Sequence, residues 1–251
     1  MHQLAITHFL NSIFGGVANS ILHIVGLTPK SAEFPITDPV AMQLLVFAII
    51  IIYFLLVRMR LSADSPGAIQ HVAEMIHEMV DDQAKGIIGH GHERYVPYAL
   101  CVGVFILTCN LIGLIPGFAS PTQFPYVPLG MAILTFVYYH YHGLREQGAW
   151  HYFLHFCGPV WWLIPLMLPI EIISHCARIM SLTIRLFANM FAGEMVTLAF
   201  FSLVPIGVPI IFLLLHVGVS VIQAFLFMLL TMIYVSLGVQ HEEKHEEAHA
   251  H

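Results

Sequence analysis

Apolar residues gather in five long runs, Val40 to Val57, Val96 to Leu114, Val127 to Tyr141, Val160 to Leu203 and Val208 to Leu237, with short polar stretches between them. A hydrocarbon layer about 30 Å thick needs about 20 apolar residues of helix, and each run is at or near that length. The pattern predicts about five membrane-crossing helices, the last two overlong and therefore tilted. Val204-Pro205-Ile206-Gly207-Val208-Pro209 reads as a tight turn that folds those two into a long tilted hairpin. Ile69 to Ile88 has a different period: Ile69, Val72, Met75, Ile76, Met79 and Val80 share one helical face, while Glu74, Glu78, Asp81 and Asp82 point away. This stretch is predicted to be an interfacial amphipathic helix on the inner surface. In the first 25 residues Leu4, Phe9, Ile13, Val17, Leu22 and Val25 recur at helical spacing, which suggests a second surface helix on the outer side. The absence of Lys or Arg before Lys30 argues against a cleaved signal peptide.

The expected fold class is thus an all-α polytopic membrane protein. An outer-side segment covers 1–39, the membrane domain 40–238, and a charged His-rich tail 239–251. Composition strengthens this picture. Of 251 residues 58% are hydrophobic and 10% are charged, against about 25% charged in a soluble domain; the mean hydropathy is +0.81. The few cations also give an orientation. Arg58, Arg60, Lys85, Arg94, Arg145 and Lys244 lie on the side reached after the first span, against Lys30 alone on the other. The positive-inside rule then puts the N-terminus outside and the C-terminus in the cytoplasm. The net charge of -6 comes with no basic stripe, which excludes nucleic acid as a partner. Cys101, Cys109, Cys157 and Cys176 stand singly, without the spacing of a disulfide or metal set, and read as small core residues.

Polar residues inside the apolar runs carry the functional signal. Arg185 lies in the middle of the fourth run, where a guanidinium costs roughly 2.5 to 3.5 kcal/mol and cannot escape by losing its proton. Snorkelling is closed to it, because apolar sequence extends far to both sides. At about 100° per residue, Glu171, Arg178 and Arg185 fall within about 40° of one another, and Asn189 follows Arg185 by one turn. Glu194 is about 180° further round and roughly 13 Å closer to the outer side. The run therefore offers two polar zones on different faces, with Arg185 between them. In the last run His216, Ser220 and Gln223 share a face. Residues at one depth of an antiparallel hairpin have a constant sum of numbers, which places Glu194 level with His216 and Arg185 level with Gln223. Two positions stay open: Arg178 either balances Glu171 or contacts headgroups, and Asn110 is either helix-packing glue or a ligand. His140 and His142, at the inner end of the third run, are expected to face water.

SLTIRLFANMFAGE (Ser181 to Glu194), NLIGLIPGF (Asn110 to Phe118) and QAFLFMLLTMIYVSL (Gln223 to Leu237) together resemble subunit a of the F-type ATP synthase, the membrane-sector stator subunit. The resemblance runs from about residue 40 onward, in family order; the first 35 residues contribute nothing to it. It implies a proton path broken into two offset half-channels. The essential arginine matches Arg185, the asparagine one turn later Asn189, and the acidic residue after the Ala-Gly pair Glu194. The polar positions of the last helix match His216 and Gln223, with Ser220 between them, and Glu171 matches a carboxylate on the inner access path. The implied partners are a ring of small two-helix, carboxylate-bearing c subunits, the peripheral-stalk subunit b and the rest of the synthase, within a bacterial inner membrane. No cofactor, metal or catalytic chemistry is implied for the chain itself. Two departures stand out: Ala188 replaces a common Gly, and Gln123 to Tyr126 (QFPY) replaces an acidic or amide-bearing stretch, which leaves that loop's part in the outer path open.

Two other classes compete. A secondary transporter with a midplane charged site would also explain Arg185, but such folds show repeats and helices broken at matching places. No repeat is visible, and Pro165 and Pro169 have no counterpart. An intramembrane hydrolase needs a nucleophile, a base and an oxyanion site. Ser220 and His216 are one turn apart, yet no oxyanion motif accompanies them.

Overall fold

The computed structural model describes residues 7–8, 10–12, 15–16, 35–62, 67–115, 118–148, 164–203 and 207–239. Six long helices follow in order: α1 (Asp38–Met59), α2 (Ala68–Ile88), α3 (Val96–Ile112), α4 (Tyr126–Gln147), α5 (Ile164–Leu203) and α6 (Val208–Val239). Their ends have local causes. Proline sits in the first turn of α1 and of α3, where its missing N–H costs nothing. α1 also carries Asp38 in its first turn and Arg58 in its last, matching the helix dipole. Gly89 and Gly148, at φ +82° and +74°, stop α2 and α4 in a backbone conformation that favours glycine.

The protein is an all-α polytopic membrane protein. Among the described residues, α1, α5 and α6 contain stretches long and apolar enough to cross a membrane, and α3 is a shorter apolar helix. α4 has 22 residues, enough for about 33 Å, but its C-terminal half is diluted by tyrosine and histidine. α5 has 40 residues, so at about 1.5 Å per residue it is twice as long as the hydrocarbon is thick and must lie steeply tilted. Side chains that a soluble protein would bury stand exposed along α1, including Leu44, Phe47, Ile51, Ile52 and Leu55. Such a surface is stable only against lipid or another subunit.

α6 is the hub, packed against α2, α3, α4 and α5. Met190, Leu186 and Leu182 of α5 meet Phe227 and Ala224 of α6, Ile106 and Val102 of α3, and Met42 and Val46 of α1 in one buried cluster. A second cluster joins Val80, Ala84 and Ile88 of α2 to Met228, Met232 and Val235 of α6 and Tyr139 of α4. The amphipathic helix is therefore docked onto the bundle: Ser236 donates to the Ile87 carbonyl at 2.9 Å, and Tyr53 to the Ile69 carbonyl at 3.2 Å. Only part of its apolar face is used, since Ile69, Val72, Met75 and Met79 stay exposed.

The N-terminal surface helix and the hairpin turn fall largely outside the described residues, as do Cys157 and the His-rich tail. Few of their positions are described. Residues 7–8, 10–12 and 15–16 are helical, and Asn11 exchanges two 3.0 Å hydrogen bonds with the Ile36 backbone, tying this segment to the start of α1. At the hairpin, α5 ends at Leu203, Gly207 has φ +91°, and α6 begins at Val208.

Candidate functional site

α5 and α6 run antiparallel with polar residues at their seam. Three contacts set the register. Asn189 donates to Gln223 Oε1 at 3.0 Å, Ser220 Oγ lies 3.8 Å from Met190 Sδ, and the His216 ring lies against Gly193. A Cβ on residue 193 would sit 2.8 Å from His216 Nδ1, so only glycine lets the imidazole settle against the neighbouring backbone. The expected level of Glu194 with His216 is met within one residue. Gln223, expected at the depth of Arg185, is buried and accepts from Asn189, one turn nearer the hairpin, while Arg185 turns back to donate to Ser181 on its own helix at 3.3 Å. Residue-number sums fix depth only to about a turn.

Arg185 is half-buried, and among the described residues it has no ion-pair partner. Ser181, Ala188 and Ala192, on its face of α5, are exposed. A charged group thus stands on an exposed strip of otherwise small side chains.

Between Arg185 and the hairpin end of α5 lies a cavity of about 320 Å³ lined by Asn189, Ala192, Gly193, Phe212 and His216 among others. Beside it the Gln123 amide faces the Glu194 carboxylate and donates to both of its oxygens. Gln123 belongs to the QFPY loop, whose part was open, and it meets Glu194 directly. Its position follows from a buried network beneath it. Thr122 donates to Asn110 Oδ1 at 2.6 Å, Ser120 donates to the Cys109 carbonyl at 2.9 Å, and Asn110 Nδ2 reaches the Ser220 carbonyl at 3.4 Å. Asn110 is fully buried and uses both ends of its amide to bind the loop to α6, which makes it packing glue. Gly113 is the tight point of this arrangement: a Cβ there would sit 2.7 Å from Ser120 Cβ and 2.9 Å from its backbone N. Gly113→Val is therefore expected to cost about 1–3 kcal/mol, read as a lower unfolding temperature of the detergent-solubilised subunit.

Toward the N-terminal end of α5, Glu171 is 3.4 Å from His175 Nδ1, and the same nitrogen lies 2.8 Å from the Glu171 carbonyl. The His175 ring meets His140 of α4, centroids 5.1 Å apart. His140 and His142 do not project freely into water as expected; both are partly buried in a cluster of rings that includes Tyr138, Tyr139 and Tyr95. Tyr95 donates to Glu146 at 2.6 Å and Arg94 does so at 3.1 Å. Burial, then the bond to Glu146, raises the Tyr95 phenol far above its ordinary range, so it remains a donor. Among the described residues no ion pair joins Arg178 to Glu171. Its guanidinium carbon lies 5.3 Å from the centre of the Tyr234 ring on α6, a cation–π contact inside the bundle.

The structure thus gathers Glu194, His216, Asn189, Gln223 and Ser220 along one seam, sets Glu171 apart toward the start of α5, and leaves Arg185 between them on an open face. Gly193 and His175 join these zones without having been singled out, Gln123 had been named only within a loop whose part was open, and His140 only as a residue expected to face water. For His175 a signal existed, namely a histidine one turn after Glu171 in an apolar helix; for Gln123 the signal was the loop's departure from the family pattern, which named the loop and not the residue's partner.

Comparison with known proteins follows the same lines. The family model described as ATP synthase A chain matches residues 40–236. ATP synthase subunit a of Koribacter versatilis (strain Ellin345) is 51% identical over 240 residues, covering 96% of this chain and 98% of that protein. ATP synthase subunit a of Solibacter usitatus (strain Ellin6076) is 48% identical over 232 residues, covering 92% and 99%. ATP synthase subunit a of Helicobacter hepaticus (strain ATCC 51449 / 3B1) is 42% identical over 181 residues, covering 72% and 80%.

Proposed function

The chain belongs to the ATP synthase A chain family and is a proton-transporting membrane subunit of an F-type ATP synthase; from that premise we propose that it provides two offset half-paths for protons, kept apart by Arg185. The observation that carries this reading is the separation of two polar zones, one around Gln123, Glu194 and His216 with its cavity, the other around Glu171 and His175, with Arg185 on the exposed strip between them. In this reading protons enter from outside past Glu194 and His216, board a carboxylate of a c-subunit ring, travel round through lipid and leave inward past Glu171. Ser181, Ala188 and Ala192 let a ring helix come close to Arg185.

Arg185 is suited to the barrier because a guanidinium donates but cannot relay a proton. At about 4 Å and an effective dielectric of about 20, it attracts an arriving carboxylate by about 4 kcal/mol, enough to favour discharge of the proton by about three pKa units. The carboxylate must be reprotonated before it re-enters lipid. The peripheral-stalk subunit b and the c ring are the proposed neighbours, and the bacterial plasma membrane the proposed site, with the N-terminus outside.

The reading is tested by accessibility. Glu194→Cys and His216→Cys, each in a cysteine-free background, are expected to react with a membrane-impermeant thiol reagent added outside, and Glu171→Cys with the reagent added inside. Labelling of 194 and 216 only from inside would reverse the orientation. Labelling of all three from one side would remove the two half-paths.

A further inference from the structure

We propose that Gln123 is a positioning residue of the outer half-path, an amide that holds the Glu194 carboxyl in place in both of its protonation states; this rests on the half-path reading and adds a residue to its outer branch. Gln123 and Glu194 are both half-buried, and the Gln123 amide donates to both carboxylate oxygens. Among the described residues no cation pairs with Glu194, so its partner in the loop is a neutral group. A carboxylate only accepts, and the amide NH2 supplies donors. A protonated carboxyl has an O–H to give, and the amide carbonyl accepts it once the end of the side chain has turned over, a soft and roughly two-fold rotation. When a proton arrives from the outer water an O–H bond forms on Glu194. That bond breaks when the proton moves on, and the amide turns back. No N–H bond of Gln123 breaks, so Gln123 carries no proton itself. A cation in its place would bind the ionised carboxylate and oppose its protonation.

The backbone beneath Gln123 keeps the amide at this place. Gln123 ends a short 3₁₀ turn, Pro121–Gln123, that packs against α5, and its backbone N–H donates to the Ser120 carbonyl at 3.3 Å. Ser120 and Thr122 are buried and donate to the Cys109 carbonyl and to Asn110 Oδ1 of α3. Asn110 in turn reaches the Ser220 carbonyl of α6. These bonds tie the loop to two helices without using the Gln123 side chain. The loop is therefore seated by its buried residues, which leaves the amide to act on Glu194 alone.

The test uses the assembled synthase in membrane vesicles, with proton-driven ATP synthesis normalised to assembled complex. Gln123→Met keeps the length of the side chain and removes both ends of the amide; synthesis is expected to fall roughly tenfold with assembly unchanged. Gln123→Lys keeps a donor to Glu194 but holds it as an ion pair, so synthesis is expected to fall further than in Gln123→Met. A role confined to seating the loop gives the reverse order, because a lysine paired with Glu194 seats the loop better than a methionine does. Synthesis by Gln123→Met within about twofold of the parent would overturn the proposal. So would a Gln123→Lys variant at least as active as Gln123→Met, or a loss that tracks reduced assembly. Glu194→Gln in the same vesicles separates the two ideas: a parent-like Glu194→Gln removes Glu194 from the path and the half-path reading with it, whereas an impaired Glu194→Gln beside a parent-like Gln123→Met removes the role of Gln123 alone.

Discussion

Arg185→Ala is expected to abolish ATP synthesis driven by a proton gradient while the subunit still inserts and assembles. Assembly survives because the residues that hold α5 in the bundle, Leu182, Leu186 and Met190, are on its buried side, whereas Arg185 is half-buried and its one hydrogen bond goes to Ser181 on the same helix. Function does not survive because nothing else in this part of α5 carries a fixed positive charge; the nearest cation along the helix, Arg178, is about two turns inward and stacked on Tyr234. Losing an attraction of about 4 kcal/mol corresponds to a factor of about 10³ in the tendency of a ring carboxylate to discharge. The barrier between the polar zones goes with it. Two measurements on membrane vesicles decide the matter: the synthesis rate, expected at background, and passive proton permeability, expected to rise. Arg185→Lys is expected to fail as well, because a compact ammonium does not keep the planar fork of donors and can give up its proton when desolvated. Synthesis by Arg185→Ala at near the parental rate would remove Arg185 from the mechanism.

How far the sequence led depends on the kind of signal. Helix positions were legible because burial in hydrocarbon demands apolar length: the runs beginning at Val40, Val96, Val127 and Val208 and the amphipathic stretch from Ile69 each fall within two residues of the start of an observed helix. Polar residues on one helix were equally legible, since a fixed turn angle places Glu171, Arg185 and Glu194. Contacts between helices were not. Number sums along the hairpin gave the depth of Gln223 to within a turn, but choosing between Arg185 and Asn189 as its neighbour requires the rotation of α6 about its axis, which depends on how Phe227 and Ala224 pack against three other helices. Gln123 reaches Glu194 across 71 positions through a loop anchored by Asn110, Ser120 and Thr122. No periodicity encodes such a contact. Arg178 on Tyr234 is the same case: the cation was visible, its aromatic partner on another helix was not.

The contact between Gly193 and His216 yields the second large effect. A methyl group on residue 193 would stand 2.8 Å from His216 Nδ1 and 3.1 Å from Cε1, well inside van der Waals contact. The group that must give way is a side-chain ring bordering a cavity of about 320 Å³, so the helices need not separate. Gly193→Ala is therefore expected to leave assembly intact and displace the imidazole from its place beside Glu194, lowering proton-driven synthesis roughly tenfold or more if His216 handles protons. His216→Ala should lower it by a similar factor by removing the imidazole altogether. The double variant separates this account from a general loosening of the hairpin. If residue 193 acts only by placing His216, then Gly193→Ala with His216→Ala is no worse than His216→Ala alone, because the ring that clashes has gone; independent effects would instead multiply. Synthesis rates of the two single variants and the double, normalised to assembled complex, give the coupling directly. Multiplicative loss would mean that Gly193 serves something other than the seat of His216, such as the close approach of a ring helix to α5.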